Sequence, residues 1–174
     1  RHANIFAILF DIADKQKQEK ILTNVLENDE IPAITTPYFN FFELDVLCRM
    51  GKLTEVLDKI RSYWGGMLDL GAVTFWEEYD PSVPKEEQYD MYGDHFGKSL
   101  CHAWAASPIY FLAKYFAGLD LVNKDGVTYI LKPQMQYFTE LDCTLPVGSK
   151  GVVRLVWDGE ILEITPNADG GILE

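Results

Sequence analysis

Apolar and polar positions follow two different periods along the chain, and the period changes near residue 119. Before that point, apolar residues recur at the three-to-four-residue spacing of helices, and after it they recur at every second position, as in strands. The pattern predicts two domains, residues 1–118 and residues 119–174. We expect the first to be mainly α-helical and the second to be a small antiparallel β-sandwich.

Five helices are predicted in the first domain, and they alternate in character. The first, third and fifth are apolar on nearly all sides, whereas the second and fourth carry one apolar face. The predicted ranges are 2–13, 15–28, 36–50, 52–66 and 99–117. The third helix has clear boundary signals, with Thr36 as N-cap, Pro37 in the first turn and Gly51 past the end. A helix that is apolar all round must be covered on all sides. The alternation therefore predicts inner helices ringed by outer ones, as in part of an (α/α)6 toroid.

This arrangement predicts where functional loops lie. If the three apolar helices run parallel, their N-terminal ends share one rim, together with residues 35–38 and the loop of residues 65–98. Loops at one end of a rigid scaffold often carry function. Within the fifth helix, Pro108 is expected to break the hydrogen-bond ladder, with Ser107 as the N-cap of the second half.

The second domain is predicted to contain short strands. They fall in residues 126–133, 138–146 and 151–165, and the last of these contains Asp158-Gly159, a two-residue hairpin signal of type I′. The C-terminal residues 167–174 are predicted to form a turn with a short tail.

Composition narrows the classes of partner. The 174 residues carry 15 Lys and Arg against 27 Asp and Glu, a formal net charge of -12. Such a balance argues against nucleic acid and anionic membranes, which require basic patches. Of the three cysteines, Cys48 and Cys101 lie in apolar surroundings and are expected to be buried. The chain begins at Arg1 without a signal peptide, so we expect it to be a piece of a longer polypeptide.

The loop stretch GAVTFWEEYDP, residues 71–81, contains the strongest candidate chemistry. Neighbouring residues of an extended loop point in opposite directions, so at most one of Glu77 and Glu78 faces a given cleft. An acidic loop with an anchoring aromatic residue is the simple interpretation. The functional alternative is a carbohydrate site, in which one glutamate is a base and Trp76 offers an apolar ring to a sugar. Trp76 is expected to be more exposed than Trp104.

Other polar candidates are fewer. His102 lies in the apolar fifth helix, and both a buried core histidine and a ligand contact are compatible with that position. No metal-ligand spacing connects the histidines, so no metal and no other cofactor is expected.

Three stretches resemble one family of enzymes. YWGGMLDLGAVTFWEEYDP is similar to the W-x-x-M…G-A-T-T-x-W-E motif of the α-L-rhamnosidases of glycoside hydrolase family 78. KSLCHAWAASPIYFLAKYFAG resembles the S-L-N-H-Y helix of that family, and TTPYFNFFELDVLCRMG resembles its T-P-Y helix. The resemblance covers essentially the whole chain, including a C-terminal sandwich domain.

The resemblance implies an inverting hydrolase of terminal α-L-rhamnosyl bonds, built on an (α/α)6 barrel. Glu77 matches the position of the family's general base, and His102 matches the position of its sugar-contacting histidine. Trp76, Thr74 and Tyr38 match motif positions expected to contact substrate. The sequence departs from the family at Val73, Cys101 and Pro108, where the family has threonine, asparagine and an unbroken helix.

The general acid of the family lies in the first half of its barrel, and no such motif occurs in this chain. The expected partners are therefore a rhamnose-containing carbohydrate and an N-terminal part of the same polypeptide, and the isolated chain is expected to be inactive. Two alternatives stay open. One is another glycosidase with an α/α toroid, and the other is a carbohydrate-binding protein without catalysis.

Overall fold

The structure, a computed structural model, describes residues 1–122, 128–147, 151–166 and 171–173. It consists of a helical part followed by a part made of short strands, as the change of period predicts. Two compact units are present, residues 1–108 and residues 109–174. The predicted join near residue 119 coincides with the first strand, Leu119–Leu121. The compact units divide earlier, before the end of the last helix.

The helical unit contains four well-formed helical segments. The first is His2–Leu9 and the second is Lys15–Ile21, which continues as a π-helical turn, Leu22–Leu26. The third helix is Pro37–Arg49. The fourth runs as Leu53–Lys59, Ile60–Trp64 and Gly65–Asp69, with a π-helical turn in the middle.

The boundaries of the third helix follow the local chemistry of the sequence. Thr36 has an extended backbone, Pro37 occupies the first helical turn, and Gly51 follows the end with φ 76°. Proline has no N–H to lose in a first turn, and glycine adopts positive φ without a steric cost. The predicted start and stop of this helix are thus confirmed.

The predicted fifth helix is wrong in its first half. Residues 98–102 form a non-helical loop with bends, Ala103–Ala105 form a 3-10 turn, and the helix begins only at Ser107. It runs as Ser107–Phe111 and continues as a π-helical turn, Leu112–Phe116. Pro108 therefore lies in the first turn of a helix and interrupts none. Apolar composition alone suggested helix here, whereas the backbone of this stretch pairs with another loop.

The observed burial matches the prediction for the amphipathic fourth segment better than the prediction for the apolar first helix. In the fourth helical segment, Val56, Leu57, Ile60 and Trp64 are buried as predicted. The first helix, in contrast, buries only Ile5 and Ile8 among its residues. Large apolar side chains beside it are exposed, Phe10 to 69% and Ile12 to 74%. Within the described residues, the first helix is thus not covered on all sides as expected.

A buried carboxylate ties the helical segments of this unit together. Glu43, on the third helix, accepts from Arg1 Nε at 2.9 Å and from Lys59 Nζ at 2.7 Å, and its side chain is 3% exposed. Arg1 also donates to the carbonyl oxygens of Ile31 and Leu26. Buried charges are tolerated when paired and hydrogen-bonded in this way. The network fixes the N-terminal end of the first helix against the third.

The second unit contains two three-stranded sheets. The first has the order β1 (Leu119–Leu121), β2 (Tyr129–Leu131) and β6 (Gly171–Leu173), and the second has β3 (Leu141–Pro146), β4 (Val152–Trp157) and β5 (Leu162–Pro166). The second sheet is antiparallel throughout, as predicted. The first is mixed, because β2 pairs with β6 in parallel. The C-terminal tail was thus wrongly predicted to lack a strand, and residues 167–170 and 174 of that stretch lie outside the described residues.

An apolar cluster contains residues of both sheets, as in a sandwich. It contains Tyr129 and Leu131 of the first sheet, and Leu145, Val153 and Leu155 of the second. The hairpin between β4 and β5 forms where Asp158-Gly159 predicted it. Its loop spans four residues, 158–161, so the two-residue type I′ turn is wrong. The Asp158 carboxylate accepts from the backbone N–H groups of residues 160 and 161 and stabilises this longer turn.

Candidate active site

Two loop segments, residues 75–77 and 99–102, are joined by backbone hydrogen bonds and form the floor of the site. Glu77 N donates to Ser99 O at 2.9 Å, and His102 N donates to Phe75 O at 2.8 Å. These two bonds explain why residues 99–102 are not helical, because their backbone groups are satisfied by the 75–77 segment. The pairing brings the Trp-Glu-Glu stretch and His102 to one place.

Glu77 is a covered carboxylate with a donor on each oxygen. Its Oε1 accepts from the hydroxyl of Tyr92 at 2.8 Å, and its Oε2 accepts from the backbone N–H of Ser99 at 3.1 Å. Its side chain is only 8% exposed. The Tyr92 hydroxyl, followed by the Ser99 N–H, holds the pKa of the Glu77 carboxyl below its usual range, and burial opposes this lowering. Glu77 is therefore ionised at neutral pH.

A histidine and two aromatic rings continue from this carboxylate. His102 Nδ1 lies 3.8 Å from Glu77 Oε2, and the His102 ring lies 4.2 Å from the Trp104 ring between centroids. Trp104 Nε1 donates to the Glu77 carbonyl at 3.4 Å, and the Trp104 ring lies 5.4 Å from the ring of Tyr38. Trp104 and Tyr38 are exposed to 43% and 46%. A row of four side chains thus offers a carboxylate, an imidazole and two accessible rings. In order, these are Glu77, His102, Trp104 and Tyr38.

Glu78 points away from this row. Its Oε1 accepts from Thr35 Oγ1 at 3.0 Å, whereas Glu77 contacts Tyr92 and Ser99. The two neighbouring carboxylates therefore have separate environments, as their extended backbone predicts. Only Glu77 lies beside His102.

The exposures predicted for two tryptophans are wrong, because the structure reverses them. Trp76 is 3% exposed and packs against the ring of Tyr89 at 5.6 Å, whereas Trp104 is 43% exposed. Hydropathy is the same for both residues, so only the loop path separates them. Trp76 is therefore a buried support of the Glu77 loop. Thr74 stabilises the same loop, because its hydroxyl donates to the Leu100 carbonyl.

Lys98 adds a positive charge close to several carboxylates. It is 8% exposed, and burial lowers its pKa, while Glu78, Asp80 and other nearby carboxylates oppose the lowering. Lys98 also contributes to the lowered pKa of Glu77. The positive charge of Lys98 thus favours the ionised form of the Glu77 carboxyl.

Three residues of the site and the exposure of one cysteine were not predicted from the sequence. Tyr92 and Ser99 were not singled out, and Trp104 was assigned to the core. A signal for Tyr92 was present in its neighbour Gly93, because glycine supplies the positive φ that a tight turn requires. Cys101 was expected to be buried, but it is exposed, because the stretch around it is a loop and not a helix.

The described residues contain neither a metal-binding cluster nor a membrane-spanning helix. Among these residues, no group of three or more His, Cys, Asp or Glu is placed to hold a metal ion. No helix within the described ranges has the length and hydropathy to cross a bilayer.

Similarity to other proteins is found at the level of structure. No protein-family model and no curated protein sequence matches the chain. Among solved structures, a family GH78 rhamnosidase of Bacillus sp. GL1 is similar with a TM-score of 0.79 and 24% identity, over 99% of this chain and 18% of that one. A rhamnosidase from Klebsiella oxytoca, solved with rhamnose bound, is similar with a TM-score of 0.56 and 33% identity, over 64% of this chain and 21% of that one.

The chain therefore has a fold like that of rhamnosidases of this family. It spans about a fifth of the length of the two solved relatives, 18% and 21%.

Proposed function

We propose that this chain is the C-terminal part of an inverting α-L-rhamnosidase and that Glu77 is its general base. The observation that carries the proposal is the ionised, covered Glu77 carboxylate beside His102 and the exposed ring of Trp104. The rhamnosidase-like fold supports the substrate class. A base must be ionised before it accepts a proton, and the donors on Glu77 favour that state.

In the proposed mechanism, Glu77 takes a proton from a water molecule as that water attacks the anomeric carbon. Inverting glycosidases place this base roughly 6.5–9.5 Å from a carboxylic acid that protonates the leaving oxygen. The acid is supplied from outside this chain. His102 contacts the sugar ring, and Trp104 with Tyr38 provides the apolar surface on which a sugar face packs. Trp76 and Thr74 hold the loop and thereby shape the pocket.

The rest of the (α/α)6 barrel is proposed to come from an N-terminal part of the same polypeptide. The coverage of the two solved relatives supports this, because the chain covers 18% and 21% of their length. The rest of that length can supply the remaining hairpins. The exposed apolar side chains of Phe10 and Ile12 provide a surface for it to cover. The isolated chain is proposed to be inactive, because it lacks the acid.

The test uses the longer polypeptide, in which hydrolysis of an aryl α-L-rhamnoside is followed by NMR. Glu77→Gln is expected to lower kcat by roughly 10²–10⁴-fold, the usual contribution of a general base. Glu78→Gln is the matched control, because it removes the neighbouring charge from a different environment. The wild type should release β-L-rhamnose first. Equal losses in both variants, or full turnover in Glu77→Gln, would exclude Glu77 as the base.

A second candidate function is carbohydrate binding without catalysis. The exposed Trp104 and Tyr38 rings favour it, because they form a sugar-stacking surface that needs no acid. L-rhamnose binding without cleavage of any glycoside by the longer polypeptide would support this candidate. Cleavage of a glycoside other than a rhamnoside would instead point to another glycosidase with the same fold.

A further inference from the structure

Residues 89–98 form a small hairpin next to the proposed base. Met91 and Asp94 exchange backbone hydrogen bonds of 3.0 and 2.9 Å, so Tyr92 and Gly93 form a two-residue tip. Their φ angles are 56° and 82°, the pattern of a type I′ turn. Glycine adopts this conformation freely, but tyrosine rarely does. The hairpin therefore holds Tyr92 in an uncommon backbone conformation.

Several contacts hold this 89–98 hairpin in place. Lys98 N donates to Tyr89 O at 3.2 Å, and His95 Nδ1 lies 2.5 Å from Asp90 Oδ1 on the opposite strand. The ring of Tyr89 packs on Trp76, the residue before Glu77. The hairpin is thus stabilised by internal contacts and by packing against the loop that carries Glu77.

The tip of the hairpin presents one group to the site, the Tyr92 hydroxyl. This hydroxyl donates to Glu77 Oε1 at 2.8 Å. Tyr92 itself is 81% exposed, whereas the Glu77 side chain is 8% exposed. A ring with so much exposure gains little from burial, so core packing does not account for its placement. Uncommon backbone conformations of this kind concentrate at functional sites.

We propose that Tyr92 is a positioning residue, whose hydroxyl orients the Glu77 carboxylate and directs Oε2 toward the attacking water. This inference rests on the proposed function of Glu77 as general base. Oε1 is bound by the Tyr92 hydroxyl, whereas Oε2 accepts the Ser99 N–H and lies 3.8 Å from His102 Nδ1. A carboxylate oxygen accepts more than one hydrogen bond, so Oε2 can also accept one from a water molecule.

The hydrogen bond predicts the direction of a pKa change. A donor to the carboxylate stabilises its charged form, so removal of the hydroxyl raises the pKa of Glu77. The same bond raises the pKa of Tyr92, because it stabilises the neutral phenol. A tyrosine with a merely structural role in the hairpin would move neither value.

The first test needs no enzymatic activity and uses this chain. The Glu77 carboxyl is titrated by ¹³C NMR in wild type, Tyr92→Phe and Tyr89→Phe, with Glu77→Gln to assign the signal. Tyr92→Phe is expected to raise the pKa of Glu77 measurably, because the largest cause of its lowering is removed. Tyr89→Phe removes the same atom from the same hairpin and should leave that pKa unchanged. An unchanged pKa in Tyr92→Phe would overturn the proposal.

A third variant separates the hydrogen bond from the backbone conformation. Tyr92→Asn suits positive φ better than tyrosine, but its side chain is too short to reach Glu77. It should therefore raise the pKa of Glu77 as Tyr92→Phe does, in a chain that folds at least as well. If the pKa of Glu77 rose in Tyr92→Phe but not in Tyr92→Asn, the proposed role of the hydroxyl would be overturned.

The second test measures kcat/KM against pH in the longer polypeptide. Tyr92→Phe is expected to lower kcat/KM by about tenfold and to move the acidic limb of its pH profile to higher pH, as a perturbed base predicts. Faster turnover in Tyr92→Phe would show that Tyr92 blocks Glu77 and would overturn the proposal. If no glycoside is cleaved by the wild type, the proposed function fails, whereas the NMR titration still decides whether Tyr92 holds Glu77.

Discussion

Replacing Glu43 with alanine is expected to destabilise the helical unit strongly. The substitution leaves the Arg1 guanidinium and the Lys59 ammonium without their carboxylate, with side chains 10% and 21% exposed. Loss of one partner of a buried ion pair costs about 3–5 kcal/mol. Arg1 keeps its two carbonyl acceptors, and Lys59 is partly hydrated, so the lower end of that range applies. We expect a loss of about 3 kcal/mol.

Urea denaturation followed by tryptophan fluorescence measures this loss. Trp64, Trp76 and Trp104 lie in the helical unit, so a Trp157→Phe background restricts the signal to that unit. With m values of about 1–3 kcal/mol/M, the midpoint should fall by about 1–3 M.

Asp58→Ala is the control for the Glu43 variant. Asp58 pairs with Arg61 at 3.9 Å, and both side chains are more than 60% exposed. Exposed pairs of this kind contribute little to stability, so the control should keep the wild-type midpoint. A shift below about 0.5 M in Glu43→Ala, at an unchanged m value, would refute the view that this network ties the helices together.

Three further predictions test other parts of the structure. Gly118→Ala should destabilise the second unit, measured by thermal unfolding, because Gly118 has φ 75° and an added Cβ would collide with the Lys132 carbonyl. Wild-type stability in that variant would contradict this packing. A thiol reagent should label exposed Cys101 rapidly and buried Cys48 only after unfolding, as mass spectrometry would show. Equal labelling rates would contradict this difference in exposure. The Glu77 pKa is lowered on folding, so its contribution to stability is present above its ordinary pKa and lost as pH falls through the folded value. The stability difference between wild type and Glu77→Gln should therefore shrink in acid, and a difference independent of pH would contradict the assignment.

The candidate site was only partly predictable from the sequence. Glu77 and His102 were singled out by the resemblance of their motifs, and the separate orientations of Glu77 and Glu78 followed from extended backbone geometry. Tyr92 was missed, because its contact with Glu77 joins residues 15 positions apart through a turn that only the folded loop defines. Trp76 and Trp104 were ranked in the wrong order, since equal hydropathy gives no information on which ring a loop covers.

The sequence by itself determined the elements that rest on local physics. Periodicity and end signals located the third helix and the fourth helical segment, and strict alternation located the second sheet, because side-chain period and turn chemistry act over a few residues. Only the tertiary structure decided the conformation of residues 99–106. Their composition favours helix, but Ser99 O and His102 N form backbone hydrogen bonds with the Glu77 loop instead, in a non-helical conformation. Pairing between distant segments carries no local signal, and in this chain that pairing brings Glu77, His102 and Trp104 together.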